Sequence, residues 1–129
     1  MHEWQSHTGE AQLHIVADTE EEVFGEAVDA LGRLVELDRG GEPAQRQLWV
    51  QAPDRASLLV ELLGELVFLA DTEGFVGDRA EIRLEDNRLE ARIDGRLTRV
   101  DPLVKAATYH DLRFERNGEV WDARVVLDV

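Results

Sequence analysis

The chain has 129 residues, 43% hydrophobic and 33% charged, a composition typical of a globular domain with its own hydrophobic core. Its 28 acidic residues outnumber the 14 basic ones and give a net charge of −14, which disfavours direct binding to nucleic-acid phosphates. Cysteine is absent, which excludes disulfides, thiol catalysis and thiolate metal sites. No apolar run approaches the roughly 20 residues that cross a bilayer, so we expect a single cytoplasmic domain over residues 1–129 that binds neither nucleic acid nor membrane.

A strand followed by a helix occurs twice in the first half of the chain. Residues 11–17 alternate between apolar and polar side chains, which predicts a strand. The run Asp-Thr-Glu-Glu-Glu at 18–22 then starts a helix, with a capping residue followed by acids that favour the first turn. Residues 46–52 form the second predicted strand. Asp54 caps a second helix, whose broad leucine-rich face ends at Gly74.

The second half of the chain predicts two hairpins. Residues 80–84 and 89–93 are short strands around a polar turn. Residues 104–115 and 119–129 flank an Asn-Gly pair, a strong signal for a tight hairpin turn. The order of elements predicts an α+β fold, with two helices packed on an antiparallel or mixed β-sheet.

The second hairpin contains the one lysine and the one tyrosine of the chain. If the Asn-Gly pair is a two-residue turn, Ala107 lies opposite Asp128, with Lys105 and Tyr109 as diagonal neighbours on the same face. This register predicts a polar cluster of Lys105, Tyr109 and Asp128 at the open end of the hairpin. It places His110 in the apolar row of the other face. A surface ion pair worth under about 1 kcal/mol and a core histidine are the structural alternatives.

Four segments resemble motifs of the archease family, in the same order along nearly the whole chain. KAATYHDL at 105–112 is similar to the family's K-A-V-T-Y-H-D segment, and HTGE at 7–10 resembles the near-terminal D-H-T-A-D motif. The segment 66–75 resembles the end of the second archease helix, and VVLDV at 125–129 resembles the terminal V-V-F-D-[IV]. The resemblance implies an archease-like fold.

The resemblance also implies a function. Archeases are accessory proteins of the GTP-dependent RNA-splicing ligase of the RtcB type, which joins RNA ends in tRNA splicing and RNA repair. They promote guanylation of the ligase active-site histidine and allow multiple turnover. The implied role is therefore that of a non-catalytic protein partner of such a ligase, and not that of an enzyme.

A small acidic site for a divalent cation, often calcium, is the family's own site. Carried over residue by residue, the implied ligands are Glu10, Asp128 and the terminal carboxylate or carbonyl of Val129. The residues implied to flank them are His7, Lys105 and Tyr109. Ligands that are all oxygen suit a hard cation.

Two departures from the family motif leave alternatives open. Ser6 stands where the family has its first Asp, and Glu10 replaces the second, so a cation site here should be weaker. Lys105 could instead act as the local cation, paired with Glu10 and Asp128. A divergent binding or chaperone module with another protein partner is one alternative function. A small metal-dependent hydrolase is another, and its candidate residues are His7, Glu10, His110 and Asp128.

Overall fold

The strands of the computed structural model, which describes residues 1–38 and 40–129, form two antiparallel sheets. The elements in chain order are β1 His2–His7, β2 Glu10–Ala17, α1 Glu20–Val35, β3 Glu42–Gln51, α2 Arg55–Glu73, β4 Phe75–Glu85, β5 Arg88–Leu97, β6 Ala106–Asn117 and β7 Val120–Asp128. One sheet has the order β1-β2-β7-β6 and the other β3-β5-β4. The predicted α+β class, with two helices on antiparallel strands, is confirmed. The division into two sheets was not part of that prediction.

Both helices begin where local signals placed them, and α2 also ends where they placed it. The Thr19 side chain accepts a hydrogen bond from the Glu22 amide at 3.1 Å, and Asp54 accepts one from the Ser57 amide at 2.8 Å. These caps satisfy amide groups that the first helical turn leaves without partners. Gly74 ends α2 in a left-handed conformation with φ of +69°. In the part of the chain that the structure describes, neither helix has the length and apolarity needed to cross a membrane.

The hydrophobic core is shared by both helices and both sheets. α1 packs on β4 of the three-stranded sheet and on β2 and β7 of the four-stranded sheet. α2 packs on β6 as well as on β3 and β4. The largest fully buried side chains are Phe24, Phe75, Leu13, Ile15, Leu58, Leu59, Leu62, Leu63, Leu89, Ile93, Leu127 and Val23. Each sheet has one face in this core, and we call its other face the open face.

A close approach of backbones brings α1 onto β4. A Cβ atom built on Gly32 would lie closer than 3.0 Å to the carbonyl oxygen of Gly77, a separation that real Cβ atoms essentially never show. It would also lie 3.2 Å from a methyl carbon of Val76. The absence of a side chain at position 32 therefore sets how near the helix lies to the strand.

Arg96 on β5 joins the three-stranded sheet to the end of α1. Its side chain is 16% exposed and contacts the carboxylates of Asp78, at 3.0 Å, and Glu36. It also donates to the carbonyl oxygens of Asp38 and Gly40. Hydrogen bonds to Asp78 and Glu36 raise the pKa of Arg96 above its already high ordinary value, so this cation is permanent.

The turn of the second hairpin lies one residue later than predicted. Asn117 pairs with Val120, so the two turn residues are Gly118 and Glu119. Gly118 takes the left-handed conformation, with φ of +66°, that tight hairpin turns require. The signal was correct, but the glycine occupies the first turn position and not the second.

A large bulge then changes the register along β6. Four residues, Tyr109–Leu112, lie opposite the single residue Val125 of β7, and pairing resumes between Thr108 and Val126. Asp111 within the bulge has φ of +50°, a left-handed conformation that Asp tolerates better than most residues. We call residues 109–112 the β6 bulge.

Two predictions for this hairpin are wrong because of the shifted turn and the bulge. Asp128 pairs with Ala106 and not with Ala107, whose side chain packs against the core instead. His110 does not stand in an apolar row. Its side chain is 64% exposed, and its Nε2 atom lies 3.2 Å from a carboxylate oxygen of Asp111.

β1 was not predicted at all. Its sequence, HEWQSH, has a single large apolar residue, so alternation alone does not distinguish it from a loop. In the structure Trp4 pairs with Leu13, and His2 pairs with Ile15. Both β2 partners are fully buried, so Trp4 and His2 project on the core face of the sheet.

Candidate functional site

One row of residues crosses the end of the four-stranded sheet. His7 on β1 pairs with Glu10 on β2, Glu10 pairs with Asp128 on β7, and Asp128 pairs with Ala106 on β6. Directly paired residues project on the same face, with Cβ atoms about 4.5–5.5 Å apart. Ala11 is buried in the core, so its neighbour Glu10 and the rest of the row lie on the open face. We call His7, Glu10, Asp128 and Ala106 the sheet-end row.

Backbone contacts fix the chain segments around this row. The turn between β1 and β2 contains Gly9 with φ of +76°, and its carbonyl oxygen accepts a hydrogen bond from the Val129 amide at 3.1 Å. The Lys105 amide donates to the carbonyl oxygen of Asp128 at 2.8 Å. Val129 and Lys105 are therefore held beside the row by main-chain geometry, whatever their side chains do.

The charged side chains at this end of the sheet stay separate. His7, Lys105 and Asp128 are exposed, and Glu10 is half-buried. Among the residues that the structure describes, neither carboxylate forms an ion pair within 4.0 Å with Lys105 or any other cation. The arrangement in which the Lys105 ammonium pairs with both acids is thus not formed.

The donor set of this end of the sheet fits a hard cation. Glu10 and Asp128 place two carboxylates on one face, and Val129 brings main-chain oxygen beside them, so every donor is oxygen. No third Asp, Glu or His among residues 1–38 and 40–129 completes a group with these two acids that could surround one ion. The third protein ligand would have to come from Val129, as the resemblance implies.

Tyr109 is held near the row but not within it. It is the first residue of the β6 bulge and is 59% exposed. The hydroxyl of Thr108 donates to the carbonyl oxygen of Val126 at 2.9 Å and fixes the start of the bulge. The structure therefore brings His7, Glu10, Asp128, Lys105 and Val129 together and keeps Tyr109 on the adjoining bulge.

The four candidate hydrolase residues do not form one group. His7, Glu10 and Asp128 share the sheet-end row, whereas His110 lies on the β6 bulge and contacts Asp111. A His–carboxylate pair does occur elsewhere on the open face, where His14 Nε2 lies 3.0 Å from Asp122. Sequence reasoning missed this pair because its members are 108 residues apart and meet only when β2 pairs with β7.

A second missed contact joins β1 to α1. The Nδ1 atom of His2 lies 2.8 Å from a carboxylate oxygen of Glu26, and the Met1 amino group lies 3.5 Å from the same oxygen. Burial raises the pKa of Glu26, but the His2 hydrogen bond and the positive Met1 amino group outweigh it and hold that pKa below its ordinary value. This contact could be predicted from the sequence only if β1 was predicted first, and the strand signal of β1 is weak.

Comparison with known proteins gives consistent matches along the whole chain. The model of the Archease protein family (MTH1598/TM1083) matches residues 2–129. The archease of Thermococcus gammatolerans is 37% identical over 145 residues, and that of Pyrococcus furiosus is 32% identical over 143 residues, with full coverage of both chains in each case.

Solved structures agree with the fold. The solution structure of Methanobacterium thermoautotrophicum protein 1598 superposes with a TM-score of 0.76 at 28% identity, covering 99% of this chain and 98% of its own. A Thermotoga maritima protein described as an archease and possible chaperone gives a TM-score of 0.67 at 23% identity, over 100% and 98% of the two chains. These matches, together with the motifs that meet at the sheet-end row, show that the chain belongs to the archease family.

Proposed function

We propose that this protein is a non-catalytic accessory factor of a GTP-dependent RNA-splicing ligase of the RtcB type. In this role it promotes guanylation of the ligase and its multiple turnover. The observation that carries the proposal is the sheet-end row, because the segments that resemble family motifs at 7–10, 105–112 and 125–129 meet there in three dimensions.

Charge supports docking of this end of the sheet on a nucleotide-binding surface. The protein has a net charge of −14, and Glu10 and Asp128 lie side by side on an open face. A ligase site that binds GTP and RNA ends must present cationic groups to phosphates. Complementary charge speeds association of two such surfaces and suppresses wrong orientations.

A divalent cation such as calcium belongs to the proposal. Glu10 and Asp128 would supply carboxylate oxygens and Val129 a main-chain oxygen. When bound, the ion would reduce repulsion between the two acids and order the sheet end for docking. The chain's own residues would still determine where the ligase contacts are made.

Multiple-turnover RNA ligation by the ligase of the same organism tests the proposal. The assay compares the ligase alone with the ligase plus wild type, Asp128→Asn or Glu119→Gln. Glu119 is the matched control, since it is an exposed acid of the same hairpin at its opposite, turn end. We expect stimulation by wild type and Glu119→Gln, and a loss of about tenfold or more with Asp128→Asn, equivalent to about 1.4 kcal/mol.

Accumulation of the guanylated ligase, measured in the same reactions, separates guanylation from later steps. The proposal requires wild type to raise the rate of guanylation. No stimulation by the wild-type protein would contradict it and favour a divergent binding module with another partner. Equal stimulation by Asp128→Asn would contradict the placement of the docking site at the sheet-end row.

A further inference from the structure

A cluster of side chains joins the start of β1 to the outer part of α1, away from the sheet-end row. His2 projects on the core face of the sheet, where α1 packs. Glu26 and Asp29 are three residues apart on α1 and so lie on the same side of the helix. One ligand atom from each of His2, Glu26 and Asp29 lies within 4.8 Å of the other two. We call these three residues the His2 cluster.

The geometry points to a binding site for a divalent transition-metal ion of the zinc class at the His2 cluster. Ligands of a tetrahedral zinc ion with bonds of about 2.0–2.1 Å are about 3.4 Å apart. The His2–Glu26 contact of 2.8 Å is shorter than this spacing, and the ligand atoms of all three residues lie within 4.8 Å of one another, so the three side chains are near enough to bind one ion. An imidazole nitrogen with carboxylate oxygens suits zinc, whereas oxygen-only donors suit calcium or magnesium.

Charge and surroundings favour the ion. The two carboxylates balance a 2+ charge when the imidazole is neutral. The cluster lies at the edge of an open groove of about 610 Å³ with acidic residues along it, namely Asp18, Glu21, Glu22, Glu26, Asp29 and Asp78. Arg79 and Met1 also line the groove, but the six acids outnumber these cations, and a cleft with an excess of one charge concentrates counter-ions. The groove also leaves room for water at the fourth position of the metal.

Two cations compete with the metal, and both are exposed. The guanidinium of Arg33 lies 3.0 Å from Asp29 and is 58% exposed, and the Met1 amino group, 3.5 Å from Glu26, is 79% exposed. Exposed pairs of this kind are weak and are readily exchanged for water. The side chains of His2 and Glu26 are only 19% and 31% exposed, so they form the more ordered part of the site.

The His14–Asp122 pair is the matched comparison within the same chain. Its 3.0 Å contact is almost as short as that of His2 with Glu26, and both histidines are partly buried. In the described part of the chain, however, no third Asp, Glu or His joins His14 and Asp122 within reach of one ion. Arg113 lies 3.6 Å from Asp122 instead. Comparing the two histidines therefore distinguishes the effect of one neighbouring acid, at His14, from that of two, at His2.

Calorimetric titration of the metal-free, untagged full chain with zinc at pH 7 tests the site. We expect one zinc ion per chain at the His2 cluster. His2→Gln or Glu26→Gln should weaken zinc binding at least tenfold, and His14→Gln and Glu119→Gln should leave it unchanged. Arg33→Gln should tighten binding, because it releases Asp29. Zinc should also raise the melting temperature of wild type but not of His2→Gln, since the ion links β1 to α1.

Several results would overturn the inference. They are no zinc binding at millimolar zinc, His2→Gln binding as tightly as wild type, or a loss of zinc binding caused by His14→Gln or Glu119→Gln. Melting curves without zinc show whether each variant is folded, and Glu26→Gln provides an independent test if His2→Gln is not. The ligase assay does not enter this experiment, so the zinc site and the proposed function can fail separately.

Discussion

Replacing Gly32 by alanine should destabilise the protein, although alanine is the better helix former. A methyl group at position 32 meets the carbonyl oxygen of Gly77 at less than 3.0 Å, and a methyl carbon of Val76 at 3.2 Å. The first neighbour is backbone in a paired strand, so it cannot rotate away. To accept the new atom, α1 must move off β4 and open the core between them.

The magnitude follows from two opposing effects. Alanine in a helix interior is favoured over glycine by about 1 kcal/mol. Overpacking of a well-packed core costs about 1–3 kcal/mol, and rigid backbone on the other side favours the upper value. Gly32→Ala should therefore lower the free energy of unfolding by about 2 kcal/mol. For a domain of this size that is a decrease in melting temperature of about 8 °C.

Gly64→Ala is the matched control, because Gly64 also lies in a helix interior but has no atom within 4 Å of a built Cβ. That variant should gain about 1 kcal/mol. Urea denaturation followed by circular dichroism gives both values, and the unfolding slope shows whether the denatured state has changed. If both variants are stabilised alike, the close approach of α1 to β4 is not present in solution and the reasoning is refuted.

Three further predictions concern the turn, a cap and an arginine. Gly9→Ala and Gly118→Ala should each lower the free energy of unfolding, measured by urea denaturation, by about 1 kcal/mol, because both residues have left-handed backbone conformations. Of the two variants, only Gly9→Ala should reduce stimulation of the ligase. Asp54→Ala should lose about 1 kcal/mol at pH 7. The hydrogen bond from the Ser57 amide holds the pKa of Asp54 below its ordinary 3.8. The cap therefore stabilises the protein above pH 3.8, and this contribution is lost as the pH falls through the lower pKa of the folded state. Denaturation of wild type and Asp54→Ala at pH 7 and below pH 3.8 should show their difference in stability shrink. Arg96→Lys should lower the free energy of unfolding by about 1–2 kcal/mol, because an ammonium cannot replace the guanidinium's several contacts. The exposed Arg33→Lys should leave stability nearly unchanged, and equal losses would contradict the anchoring role of Arg96.

Local signals predicted the helices well. Thr19, Asp54 and Gly74 act through atoms within one helical turn, so their roles can be read from neighbouring residues. The division into two sheets depends instead on which distant strands pair. β1 and the His14–Asp122 pair depend in the same way on partners that local periodicity cannot identify.

The candidate site was partly within reach of sequence reasoning. The resemblance named Glu10 and Asp128 together, and in the structure they are direct partners across β2 and β7. Hairpin counting placed Lys105 near Asp128 but misassigned its neighbours by one residue. The reason is the β6 bulge, whose residues Tyr109–Leu112 contain neither glycine nor proline, so nothing in the alternation marks the interruption.

The β6 bulge has a consequence for how the molecule behaves in a crowded solution. β6 is an edge strand, and a regular edge of 12 residues would offer its outward amide and carbonyl groups to a strand of another molecule. Tyr109–Leu112 leave the ladder and divide that edge into two short stretches, 106–108 and 113–117. An incoming strand cannot stay in register across both. The same four residues that carry part of the family motif therefore protect the protein against edge-to-edge aggregation.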